Sequence, residues 1–150
     1  MKNVVKTLGI GLMVISALIV TVAVRADAPA GRYQVDVDTV YDTKTKLTWQ
    51  RVHAPGTMTQ SNAIAYCLGL NINGLGWRLP VVKEISSLVD LSIGSPAAAI
   101  DPAFTGTPPD YFWSASPVAG PPDQAWVIDF DGGFVNIDFP VASYHVRCVR

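Results

Sequence analysis

Apolar and polar positions divide the chain into two unequal parts. From Leu8 to Val24 the residues run apolar without a charge, behind Lys2 and Lys6, which is the layout of an export leader. Cleavage is expected after Ala26, because Val24 and Ala26 are the small residues flanking Arg25, and a cut after Ala28 would place Pro29 at the scissile bond. Residues 1–26 are therefore read as a signal peptide and 27–150 as one domain, exported to the periplasm, the extracellular space or the cell surface. The apolar run is slightly shorter than the roughly 20 residues of a bilayer span. An uncleaved anchor, with Arg25 as a stop-transfer charge, is the alternative, and only then is a membrane a partner.

Beyond the leader the periodicity changes repeatedly. Tyr33 to Val37, Thr39 to Tyr41 and Leu47 to Gln50 read as short strands, the last two joined by a polar turn over residues 42–46. Thr59 is placed to cap a helix from Gln60 to about Leu70 whose stripe is Ala63, Ile64, Cys67 and Leu68. After the turn Asn71 to Gly76 and the extended Trp77-Arg78-Leu79, Pro80 opens a second helix to about Val89, with Val82, Ile85, Leu88 and Val89 as its stripe. Residues 92–124 hold most of the prolines and little periodicity, apart from the apolar piece Phe112 to Ala115, which marks a long and mobile connection. Ala125 to Phe130, the turn 131–133 and Phe134 to Phe139 form the clearest hairpin, and Val146 to Val149 a closing strand. Two short helices beside mostly antiparallel strands give an α+β class.

Charge narrows the partners. Without Lys2, Lys6 and Arg25 the domain keeps 8 basic residues against 12 acidic ones, a surface unsuited to nucleic acid, which demands clustered Lys and Arg. The two cysteines, Cys67 and Cys148, both lie in the exported part, where a pair is ordinarily a disulfide. Free thiols or metal ligands are the alternative, against which stands the lack of a neighbouring Cys or His at ligand spacing.

Several segments form a recognisable set: residues 42–50 (DTKTKLTWQ), Ala65-Tyr66-Cys67, Gly76-Trp77-Arg78-Leu79-Pro80 with Lys83-Glu84, Phe112-Trp113-Ser114, residues 125–130 (AWVIDF) and residues 146–150 (VRCVR). In this order they resemble the family named after the C-terminal domain of the Legionella collagen-like adhesin. The resemblance implies a C-type-lectin-like fold, with two helices beside a twisted sheet and a long loop region, and a Cys67–Cys148 bridge from the first helix to the final strand. In the namesake the domain is associated with attachment and glycosaminoglycan binding. The chain departs from the family's pattern at Gly76, Val81 and Ala115, which stand where Asp, Thr and a polar residue of Trp-Ser-Ser-Thr are usual.

Trp49, Trp77, Trp113 and Trp126 are candidate sugar platforms, but their apolar neighbours place them in the core. Tyr111, Phe112 and Tyr144, at or beside loops, are the better contact residues, with Asp110 and Asp123 near them in a ligand-binding half from about Gly94 to Gln124. A lectin-type calcium site is not expected: Pro109-Asp110 and Pro122-Asp123 only half resemble the calcium loop, Trp126 is followed by Val127 and Ile128, and Asp129, Asp131 and Asp138 read as turn or face residues. No cofactor or metal is assigned. His53 and His145 stand beside no nucleophile motif, and Glu84 and Arg78 read as structural rather than ligand-contacting. The expectation is a secreted, non-catalytic binding module for extracellular glycan or protein. A structural envelope subunit without a small ligand is the second reading and a hydrolase the third.

Overall fold

A computed structural model describes residues 29–93, 95–120 and 123–150. The leader assigned to residues 1–26 lies outside the described residues, as do Gly94, Pro121 and Pro122. The elements are β1 (Tyr33–Val35), β2 (Thr39–Asp42), β3 (Leu47–Gln50), α1 (Gln60–Gly69), α2 (Val82–Ser86), β4 (Tyr111–Pro117), β5 (Ala125–Asp129) and β6 (Phe134–Asp138). They build two antiparallel sheets, ordered β1-β2-β3 and β4-β5-β6, so the α+β class holds.

The first sheet is organised by one carboxylate. Asp42 ends β2, and its Oδ1 accepts the Lys44 N–H at 2.9 Å, closing the turn that leads to β3. Its side chain is fully buried and takes a two-pronged contact from Arg32, 3.2 Å from Nε and 2.8 Å from Nη2. Burial alone would raise the Asp42 carboxyl, but the hydrogen bonds from Arg32, Lys44 and Thr45 outweigh it and hold the group below its ordinary value. Arg32 also donates to the Ser87 carbonyl at 2.9 Å, tying this sheet to the segment after α2.

Within the second sheet β4 is covered on both faces, its successive residues pointing to opposite sides. Phe112 and Ile128 join Ile85 and Leu88 in one core cluster, which also takes Val40 and Trp49 from the first sheet. Trp113 and Val127 join Ala63, Cys67 and Trp77 in the other. Helix α2 thus lies on one face, over β4 and β5, and α1 on the other, over β4.

Residues 144–150 are a strap between the sheets rather than a regular strand. Thr48 and Arg150 exchange backbone hydrogen bonds at 2.8 and 2.9 Å, and the Gln50 N–H donates to the Cys148 carbonyl at 3.0 Å. On the other side the Trp113 N–H donates to the His145 carbonyl and the His145 N–H to the Tyr111 carbonyl, both at 3.0 Å. Val146 and Cys148 enter the α1-side cluster, and Val149 enters the other. The disulfide joins Cys67 on α1 to Cys148 on this strap, with Cα atoms 5.4 Å apart and the two residues 81 positions apart in sequence.

Four sequence expectations need correction. Thr59 occupies the N-cap position of α1 but makes no capping bond, its hydroxyl meeting Ser61 Oγ instead. Only Ala63 and Cys67 of the α1 stripe are buried, while Ile64 and Leu68 remain exposed because no element covers that flank. Helix α2 stops at Ser86, and Val89 bridges Ile100 instead of extending the helix. The connection before β4 is in part core and not wholly a mobile loop, since Ala98, Ala99, Ile100 and Phe104 are buried in it, the Ala99 carbonyl accepts from the Asp90 N–H and the Ala99 N–H donates to the Phe130 carbonyl. Irregular chain can fill a core without periodicity, which is why the pattern does not reveal it.

Val81 stands at the N-cap of α2. Glu84 Oε2 accepts the Val81 N–H at 2.9 Å, one half of a capping box. The valine side chain has no oxygen to return the bond, and the Glu84 N–H donates to the Val81 carbonyl at 3.0 Å instead. Val81→Thr is therefore expected to stabilise the domain by roughly 0.5–1 kcal/mol, visible as a higher urea midpoint with unchanged slope. No gain would show that the helix start is already fixed by its packing.

Candidate binding surface

The residues singled out by sequence separate in space. Asp110, Tyr111 and Tyr144 come together: the two tyrosine rings lie 5.2 Å apart, Tyr144 packs 5.0 Å from Trp113, and Asp110 Oδ2 is 3.5 Å from His145 Nε2. The Tyr144 hydroxyl donates a short hydrogen bond to Asp138. That bond pushes the Tyr144 hydroxyl up to about 12 and holds Asp138 below its ordinary value. The group behaves as a clasp whose polar atoms serve one another and fix the turn between β6 and the strap.

Phe112 does not belong to a contact surface. It is fully buried, stacked edge-on against Phe130 at 5.2 Å, because the face of β4 opposite Tyr111 is covered by α2. Asp123 is exposed but lies away from the tyrosines. Tyr111 pairs with Asp129 at one end of the β4-β5 ladder and Pro117 with Ala125 at the other, a separation of roughly 20 Å by strand rise. Arg78 and Glu84 form a forked ion pair at 2.6 and 2.7 Å, which holds Glu84 below the usual carboxylate range. Among the described residues no three His, Cys, Asp or Glu side chains are grouped to hold a metal.

The surface that sequence reasoning missed surrounds Trp126. Trp49, Trp77 and Trp113 are buried, whereas Trp126 on β5 is only half-buried. It lines a cleft of about 520 Å³ with Val82, Lys83, Ser86, Ser87 and Val135. The cleft exists because α2 ends at Ser86 while the sheet continues outward to β6. The Ser86 and Ser87 hydroxyls donate to the Val82 and Glu84 carbonyls, both at 2.6 Å, and keep oxygen lone pairs to accept from a ligand. Lys83 adds a cation at one wall, and the remaining lining is apolar.

The family model of the Lcl C-terminal domain matches residues 38–150. The chain belongs to the Lcl C-terminal domain family. The match takes in every element from β2 to the strap, the disulfide and the Trp126 cleft, and leaves β1 ahead of it. No curated protein matches the chain. Within this Lcl C-terminal domain, the departures Val81 and Ala115 both fall on a second cleft, of about 410 Å³, shared with Ile64, Leu68, Leu79, Arg78 and Glu84. The third, Gly76, has φ of 94°, a conformation that a side chain strains.

Sequence carried one signal for the Trp126 surface. Residues 134–139 are apolar at both odd and even positions, Phe134, Val135, Ile137 and Phe139. A strand with one solvated face alternates, and this one does not.

Proposed function

We propose that this domain is an exported, non-catalytic binding module that takes an extracellular glycan in the Trp126 cleft, within a C-type-lectin-like fold. The half-exposed indole carries the reading. A ring face offers apolar area to the C–H face of a pyranose, and Lys83, Ser86 and Ser87 stand where sugar hydroxyls need partners. The fold reading is supported by the family membership, the two helices flanking an antiparallel sheet, and the bridge from α1 to the strap. With an acidic domain and a single lysine at the cleft, a neutral or weakly anionic glycan fits better than a heavily sulfated one.

The test is a glycan array with the oxidised chain, with and without a calcium chelator, followed by titration of the best glycan against Trp126→Ala. The variant is expected to lose at least tenfold in affinity, while an unchanged circular dichroism spectrum and a single cooperative urea transition show that it remains folded. Unchanged affinity would reject the cleft, and loss of binding with chelator would reject the metal-independent reading. A well-folded sample that binds nothing would favour the second reading, an assembly subunit without a small ligand.

A further inference from the structure

Strand β6 is the free edge of the second sheet and is exposed along nearly its whole length. Phe134 is 65 % exposed, Val135 45 % and Ile137 44 %, and Phe139 just beyond is 47 % exposed. No described residue other than those of β5 pairs with its backbone. Edge strands are ordinarily blunted by lysine, proline or a bulge. From Phe134 to Asp138 there is no lysine or proline, and the β5-β6 register runs unbroken over five pairs.

We propose that β6 pairs antiparallel with β6 of a second copy, joining the two sheets into one of six strands. The occupant is argued from the strand's own sequence. In the register centred on Asn136, Val135 of each copy faces Ile137 of the other, and Phe134 faces Asp138. Two β-branched pairs then meet on one face, the type of cross-strand contact that stabilises sheets. Asp138 is the only charged residue of the strand, and this register sets no charge against its like. Its carboxylate is already engaged by Tyr144, so it demands no cation from a partner. A self-complementary strand of this kind satisfies a twofold interface, which places the same patch on both copies.

The geometry has a consequence for the cleft. A twofold axis through antiparallel strands is perpendicular to the sheet, so both Trp126 residues lie on the same face. Trp126 pairs with Ile137 within each copy, giving an apolar row from Trp126 through Ile137 to Val135 across the seam. The indoles would stand about three strand spacings apart across the sheet and two residues apart along it, roughly 16 Å in all, a span that one oligosaccharide can bridge. This second point rests on the glycan reading, whereas the pairing itself does not. Five-residue edges bury less than the roughly 800 Å² per partner of a standard interface, so the dimer is expected to form with a micromolar or weaker dissociation constant.

The test is sedimentation equilibrium of the oxidised chain from micromolar to millimolar concentration, with two charge variants at the exposed twofold position. Asn136→Lys and Asn136→Asp each set like charges directly opposite one another, and each is expected to raise the dimer dissociation constant at least tenfold. Mixed in equal amounts, they are expected to recover a one-to-one dimer of the original affinity or tighter. Circular dichroism and urea midpoints matching the parent chain show that neither variant is misfolded. A monomer throughout the concentration range, a trimer or open polymer, or a dimer indifferent to both charges would overturn the pairing. Trp126→Ala is expected to dimerise normally while losing glycan, and Asn136→Lys to keep its affinity for a monosaccharide, so failure of one reading is distinguishable from failure of the other.

Discussion

Reducing the Cys67–Cys148 disulfide is expected to lower the stability of the folded domain by roughly 4–5 kcal/mol, the chain-entropy value for a closed loop of this size. Both cysteines are fully buried, in a cluster with Ala63, Trp77, Trp113 and Val127, so the bond lies inside the packing and the native geometry needs no distortion to keep it. The loss is a large share of the 5–15 kcal/mol typical of whole domains. Urea denaturation with and without reductant measures it. The double variant Cys67→Ala, Cys148→Ala should fall by a similar amount. A shift below about 1 kcal/mol would mean that the strap and α1 are held together by packing alone, contrary to the chain-entropy account.

Arg147→Lys is expected to cost about 2–4 kcal/mol, an unusual penalty for a change that keeps the charge. Arg147 is completely buried with no carboxylate beside it. Its Nη1 donates to the Gln50 carbonyl at 2.7 Å and to the Arg51 carbonyl, and its Nη2 donates to Thr107 Oγ1 at 2.6 Å. The guanidinium also lies 5.0 Å from the Phe104 ring. Burial pulls its pKa down to about 9, which still leaves it charged at neutral pH. One planar fork reaches three oxygens on two separate segments and stacks on a ring, and a single ammonium cannot do all of these. The shift in urea midpoint at constant slope gives the cost. A loss under 1 kcal/mol would show that water enters and replaces the missing donors.

Much of this fold was legible where one periodicity governed a whole segment. β3 and α1 lie within a residue or two of their expected bounds because a two-residue or a 3.6-residue rhythm ran through each, and the β5-β6 hairpin does so because the turn at residues 131–133 marks it. Legibility failed where burial came from both sides. In β4, Phe112 and Trp113 are neighbours on opposite faces and both fully buried, so alternation could not show that Phe112 was unavailable to a ligand. Residues 98–104 fill the core as irregular chain held by backbone bonds to Asp90 and Phe130, and no pattern reports that. The candidate site was missed for a related reason. Four tryptophans in similar apolar surroundings read alike, and the exposure of Trp126 is decided by where α2 stops, which the Val82, Ile85, Leu88 and Val89 spacing overstates. Arg147 was hidden in the motif Val146-Arg147-Cys148, where two residues turned toward one core leave the third no choice but the other.

The strap at residues 144–150 also sets an order of events. Synthesis proceeds from the N-terminus, so β1 to β6 and both helices are made before the segment whose backbone joins the two sheets. Until Val149 and Arg150 are free to reach Arg78 and Thr48, the first sheet has no backbone partner along the outer side of β3. A chain stopped before residue 144 would thus hold its two sheets together through side-chain packing and the Arg32 bond to Ser87, without a backbone seam between them.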